Sequence, residues 1–152
     1  MPAIFQTNIL PVGDDMRYIS KFWNEATVTA GNSFGVFNLD SQQYHNFYMF
    51  HEPPAIGDSS ELTIELTPGD YVMNVLGFES SIGGIQEIYF DTDVVPVATF
   101  DRYNPIPSAN VLFSANVTIV NQSTVVRSFT SGNTFPSTNF YVSTTRIWFT
   151  PV

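Results

Sequence analysis

Glu61-Leu62-Thr63-Ile64-Glu65-Leu66-Thr67 alternates polar and apolar residues without a fault, the mark of a β-strand with one buried face. Pro68-Gly69-Asp70 follows as a turn, because proline presets φ and glycine accepts conformations other residues avoid. Tyr71 to Phe78 is then apolar on both faces except at Asn74, as expected of a more deeply buried strand. Ser80 to Gly84 breaks the pattern with a Gly83-Gly84 pair, and Ile85 to Asp91 resumes it.

Working outward, Asp91-Thr92-Asp93 predicts a tight turn into a strand over Val94 to Phe100, where Pro96 points to a sheet edge or a bulge. Arg102 to Ala109, with Pro105 and Pro107, is a loop. Val111 to Val120 alternates again, Asn121-Gln122 fits a hairpin turn into Val125 to Phe129, and Phe140 to Phe149 forms the last strand. Towards the N-terminus the pattern is less regular: Arg17 to Trp23, Thr27 to Ala30, Ser33 to Leu39 and Tyr44 to His51 are the strand candidates. No stretch carries an apolar period of 3.6 long enough for a helix. The expectation is an all-β, two-sheet antiparallel sandwich in a single domain spanning 1–152, with 1–60 the less regular part and 61–152 the better defined.

Composition agrees. Of 152 residues, 43% are hydrophobic, 15% aromatic and only 12% charged, about half the usual charged fraction. Ser, Thr, Asn and Gln must then cover the surface, which suits exposed sheet. Fourteen acidic residues against five Lys and Arg give a net charge of −9. Such a chain repels phosphate backbones and anionic lipid, so neither nucleic acid nor a membrane surface is an expected partner. With no cysteine, disulfide scaffolds, zinc ribbons and thiol catalysis are excluded. The first residues lack a secretory signal pattern, and no apolar run reaches the length of a membrane span.

No catalytic constellation is visible, so no enzymatic activity and no cofactor is expected. The only histidines, His45 and His51, would sit about 20 Å apart along one strand and cannot share a metal or a proton relay. Asp91 and Asp93 lack the other ligands of a calcium loop and serve as turn residues, with a divalent cation between them left open. Aromatic residues beside polar ones are what sugar-binding surfaces use, since C–H faces stack on rings while hydroxyls need polar partners. Arg102, Tyr103 and Asn104 in the proline-bounded loop, and Tyr44 and His45 in the aromatic segment Tyr44 to His51, are the candidate ligand contacts.

From Leu62 onward the order of features resembles two groups of jelly-roll modules. The Pro68-Gly69-Asp70-Tyr71 strand opening and the Gly83-Gly84 turn resemble carbohydrate-binding modules. The closing strand Thr145-Arg146-Ile147-Trp148-Phe149-Thr150-Pro151 resembles jelly-roll domains (TNF/C1q-like) of viral fibre, capsid-decoration and appendage proteins. Gln122-Ser123-Thr124-Val125-Val126 stands where the binding modules often have Gly-x-His-x-Leu, which tips the expectation to the second group. That resemblance implies a structural or receptor-facing virion protein, made in a host cytoplasm, homotrimeric, with other virion proteins or a host glycan as partners. The alternative is a soluble, lectin-like carbohydrate-binding module.

Overall fold

A computed structural model of the chain describes residues 17–30, 34–38, 47–51, 59–133 and 142–152. Twelve strands are described: β1 (Ile19–Phe22), β2 (Thr27–Ala30), β3 (Phe34–Asn38), β4 (Phe47–His51), β5 (Ser59–Glu65), β6 (Gly69–Glu79), β7 (Gly84–Phe90), β8 (Ala98–Asp101), β9 (Ser108–Ile119), β10 (Ser123–Asn133), β11 (Val142–Thr144) and β12 (Arg146–Pro151). Among the described residues the one helical feature is a 3₁₀ turn, Trp23–Glu25. The strands form a four-stranded sheet in the order β1-β12-β6-β9 and a five-stranded sheet in the order β2-β5-β10-β7-β8, with a three-stranded sheet β11-β4-β3. Every pairing between named strands is antiparallel.

The alternation in the sequence decides which side chains meet. Leu62 and Ile64 of β5 turn inward with Ile88 and Phe90 of β7 and Val126 of β10. Tyr71, Met73 and Val75 of β6, Val117 and Ile119 of β9, and Ile147 and Phe149 of β12 face them from the other sheet. Phe90 and Phe149 meet across the interface at 6.2 Å, and Phe100 meets Phe113 at 5.2 Å, within the range of favourable ring pairs. Trp23 closes one flank, its indole Nε1 donating to Ser60 Oγ at 3.0 Å.

Three expectations are corrected. Asn121-Gln122 does not join a hairpin: β9 pairs with β6 in one sheet, whereas β10 pairs with β5 and β7 in the other. The turn is a corner between sheets, held where Leu66 N–H donates to Gln122 O at 2.8 Å. The last strand breaks at Thr145, which exchanges backbone bonds with Leu76 and Trp23 rather than with a ladder partner, so β11 and β12 enter different sheets. Val94 does not open a strand either; β8 begins only at Ala98, because Pro96 has no N–H to give a ladder. The edge position read from Pro96 stands, as β8 is the last strand of its sheet.

The Ser80–Gly84 turn locks onto the segment after β8. Ser80 N–H donates to Arg102 O at 3.1 Å and Asn104 N–H to Ser80 O at 2.9 Å. A Cβ on Gly83 would lie 1.9 Å from Arg102 O, so this approach needs glycine. Gly83→Ala is expected to cost about 2 kcal/mol by forcing the two segments apart. An unchanged melting temperature would show that the clamp is dispensable.

Candidate functional site

Arg102 does not reach the surface. Its side chain is 0% exposed, with Nε donating to Gln86 Oε1 at 3.0 Å, Nη2 donating to the same oxygen, and the guanidinium 4.1 Å from the Phe113 ring centre. Gln86 passes the network on through Nε2 to Ser128 Oγ (2.7 Å) and Thr144 Oγ1 (2.9 Å). Burial pushes the Arg102 pKa down to about 9, against the attraction of Glu79, so it is a core cation rather than a ligand contact. The expectation failed because a charged residue in a proline-bounded loop is usually exposed.

Its neighbours are half-buried. Asn104 is committed to the loop itself, donating to Glu79 Oε2 at 2.8 Å and accepting from Ile106 N–H at 3.0 Å. Tyr103 pairs its backbone N–H with Asp101 Oδ1 at 2.9 Å. Tyr44 and His45 lie outside the described residues.

Asp91 adopts φ +47°, a region that Asp tolerates better than most residues. Its Oδ1 accepts from Val125 N–H at 2.8 Å and its Oδ2 from Asn121 Nδ2 at 2.9 Å. Both oxygens are thus engaged in fixing the inter-sheet corner, beside a cavity of about 170 Å³ that Asp93 also lines. Among the described residues no three His, Asp or Glu side chains gather where they would hold a metal. Asp91→Ala is expected to destabilise the fold by about 2 kcal/mol through the two lost bonds, and Asp91→Asn by less. Equal urea midpoints for the three proteins would contradict the clamp.

A different place combines aromatic and polar groups. On the outward face of the five-stranded sheet, Tyr89 of β7 lies opposite Arg127 of β10, and Glu87 lies opposite Phe129. On the far side of β10, Glu61 and Ser59 of β5 occupy the same two rows. The Tyr89 and Phe129 rings meet edge to face at 6.2 Å and 84°. The Arg127 guanidinium sits 5.3 Å from the Tyr89 ring centre and donates from Nη2 to Asp93 O at 2.8 Å. Tyr89 donates its hydroxyl to Glu87 Oε2 at 2.6 Å, a bond that raises its pKa and keeps the phenol protonated. Val94, 90% exposed, forms one wall of the resulting groove of about 350 Å³, lined by Ser59, Tyr89, Asp93, Val94, Arg127 and Phe129.

Sequence reasoning passed over this groove. Tyr89, Arg127 and Phe129 each occupy the outward phase of an alternating strand, which was the available signal, but only the β7–β10 pairing brings them together. The arrangement offers two ring edges or faces, one cation held flat, and carboxylate and backbone acceptors nearby. That is recognition chemistry for a small polar ligand with apolar C–H surfaces.

No family model matches the chain, and no curated protein matches its sequence. Solved structures do match. A Paenibacillus xanthan lyase aligns with a TM-score of 0.74 and 16% identity over 93% of this chain, which spans only 14% of the lyase chain. The CBM36-1 domain of a multidomain xylanase from the hindgut metagenome of Trinervitermes trinervoides and a family 35 carbohydrate-binding module from Clostridium thermocellum each align with a TM-score of 0.65 and 9% identity. Both cover 89% of this chain and 98% of their own. The fold is the jelly-roll β-sandwich of these modules. Of the two resemblances read from the sequence, these matches carry the carbohydrate-binding one. Among the described residues, no helix is long and apolar enough to cross a membrane.

Proposed function

We propose that the chain is a non-catalytic carbohydrate-binding module, and that the Tyr89–Arg127–Phe129 groove takes a neutral saccharide. The observation that carries this is the groove itself: two aromatic rings and a stacked guanidinium on the outward face of a sandwich. Sugar C–H faces stack on Tyr89 and Phe129, while Glu87, Arg127 and the Asp93 carbonyl meet hydroxyls. Glu61 lies opposite Arg127 and Glu87 lies in the adjacent row, so the carboxylates outnumber the one cation and a neutral ring fits better than an acidic one. The fold shared with two isolated binding modules supports this reading over a trimeric virion subunit.

Affinity electrophoresis tests it. Gels containing soluble galactomannan or xylan are expected to retard the protein without releasing reducing ends. Unchanged mobility through every neutral polymer tried would overturn the proposal.

A further inference from the structure

The opposite face of the sandwich is also equipped. On the outward side of the four-stranded sheet, one row runs Phe22, Arg146, Leu76 and Leu112 across β1, β12, β6 and β9. The next row runs Ser20, Trp148, Asn74 and Ser114. Phe22 is 58% exposed and Leu112 52%, so large apolar groups lie open on both edge strands. Four strands at about 4.8 Å spacing make a platform about 14 Å wide, enough for two or three sugar rings.

At its centre Arg146 is held in place. Its Nε donates to Ser20 Oγ at 2.6 Å, and its guanidinium lies 4.9 Å from the Trp148 ring centre and 5.9 Å from that of Phe22. That is its one hydrogen bond among the described residues, which leaves both Nη groups for a ligand. A planar fork with two parallel N–H donors matches a carboxylate bidentately.

The surrounding charge distinguishes this arginine from Arg127. Arg127 has Glu61 opposite it in its own row and Glu87 in the adjacent one, whereas the described outward positions of the four strands hold a single carboxylate, Asp70. Asp70 is four residues along β6 from Asn74, about 13 Å away, and accepts from Thr118 Oγ1 at 2.7 Å. Although the chain carries a net charge of −9, the two described rows around Arg146 and Trp148 hold no acidic residue. We propose that this face is a second saccharide-binding surface, selective for a sugar that carries a carboxylate. Arg146 takes the carboxylate and Trp148 and Phe22 take the ring. The overall negative charge opposes an acidic polymer at long range, but at physiological salt charges beyond about 8 Å are largely screened.

This extends the carbohydrate reading to a second ligand class, and the two can fail separately. In affinity gels at 0.15 M salt, polygalacturonate is expected to retard the wild type. Arg146→Ala should lose at least tenfold in apparent affinity, with Arg146→Lys in between, because lysine keeps the charge without the fork. Arg146→Ala should still be retarded by the neutral polymer, which also shows that it is folded. Failure of polygalacturonate to retard the wild type, or equal retardation of Arg146→Ala and wild type, would overturn the second surface. Loss of neutral-polymer binding by the wild type would overturn the groove instead.

Discussion

Tyr89→Ala is expected to weaken binding of a neutral oligosaccharide about 30-fold by isothermal titration, while leaving the melting temperature within a few degrees of wild type. The size follows from what the ring does. It is the platform a sugar would stack on, it supports the Arg127 guanidinium at 5.3 Å, and its hydroxyl holds Glu87 at 2.6 Å. Central aromatic anchors commonly contribute about 2 kcal/mol, which is the 30-fold figure. Tyr89→Phe keeps the ring and loses only the bond to Glu87, so a loss of about fivefold is expected. Phe129→Ala should fall between the two, because Phe129 meets Tyr89 edge to face and walls the groove. Both side chains point out of the core, so binding and stability should separate. Wild-type affinity in Tyr89→Ala would mean that sugar is recognised elsewhere.

The second large effect concerns the core. Arg102→Ala is expected to cost about 4 kcal/mol in urea unfolding, a large share of the roughly 5–15 kcal/mol that holds a domain of this kind together. Truncation leaves a cavity against Phe113 and Phe100 and removes both donors from the buried Gln86 Oε1. Each effect is costly alone, since a void forfeits packing and an unsatisfied buried acceptor keeps its desolvation penalty. Arg102→Met fills most of the space and removes a buried charge, so its loss should be about half as large. Adding Gln86→Leu to Arg102→Met removes the stranded acceptor, although Ser128 and Thr144 then lose their donor. The double variant is therefore expected to be no less stable than Arg102→Met alone. An Arg102→Ala protein within 1 kcal/mol of wild type would show that the network contributes little.

The sequence made the fold class legible and left the site largely hidden, for one physical reason. Alternation reports which face a residue takes, and it does not report which strand lies alongside. Leu62 and Ile64 were therefore correctly placed inside. Asn121-Gln122, by contrast, has the sequence of a hairpin turn yet carries the chain from one sheet to the other. The same blindness hid the groove, because Tyr89 and Arg127 become neighbours only through the β7–β10 ladder. Arg102 misled in another way. Its loop context suggested exposure, and only the approach of Gln86 and Phe113 shows why a cation tolerates the interior. Trp148 and Arg146 stand in the closing strand by their sequence alone, but the open row around them depends on the sheet order β1-β12-β6-β9.

A saccharide bound in the Tyr89–Arg127–Phe129 groove would sit on the outward face of the five-stranded sheet. Amide chemical-shift mapping during titration with a neutral oligosaccharide cut from a retarding polymer tests it most directly. The expected result is a compact set of shifts at Glu87, Tyr89, Val94, Arg127 and Phe129, saturating with the binding isotherm. Shifts confined to Asp101–Ile106 or to the Asp91 corner, with the groove residues unmoved, would contradict it.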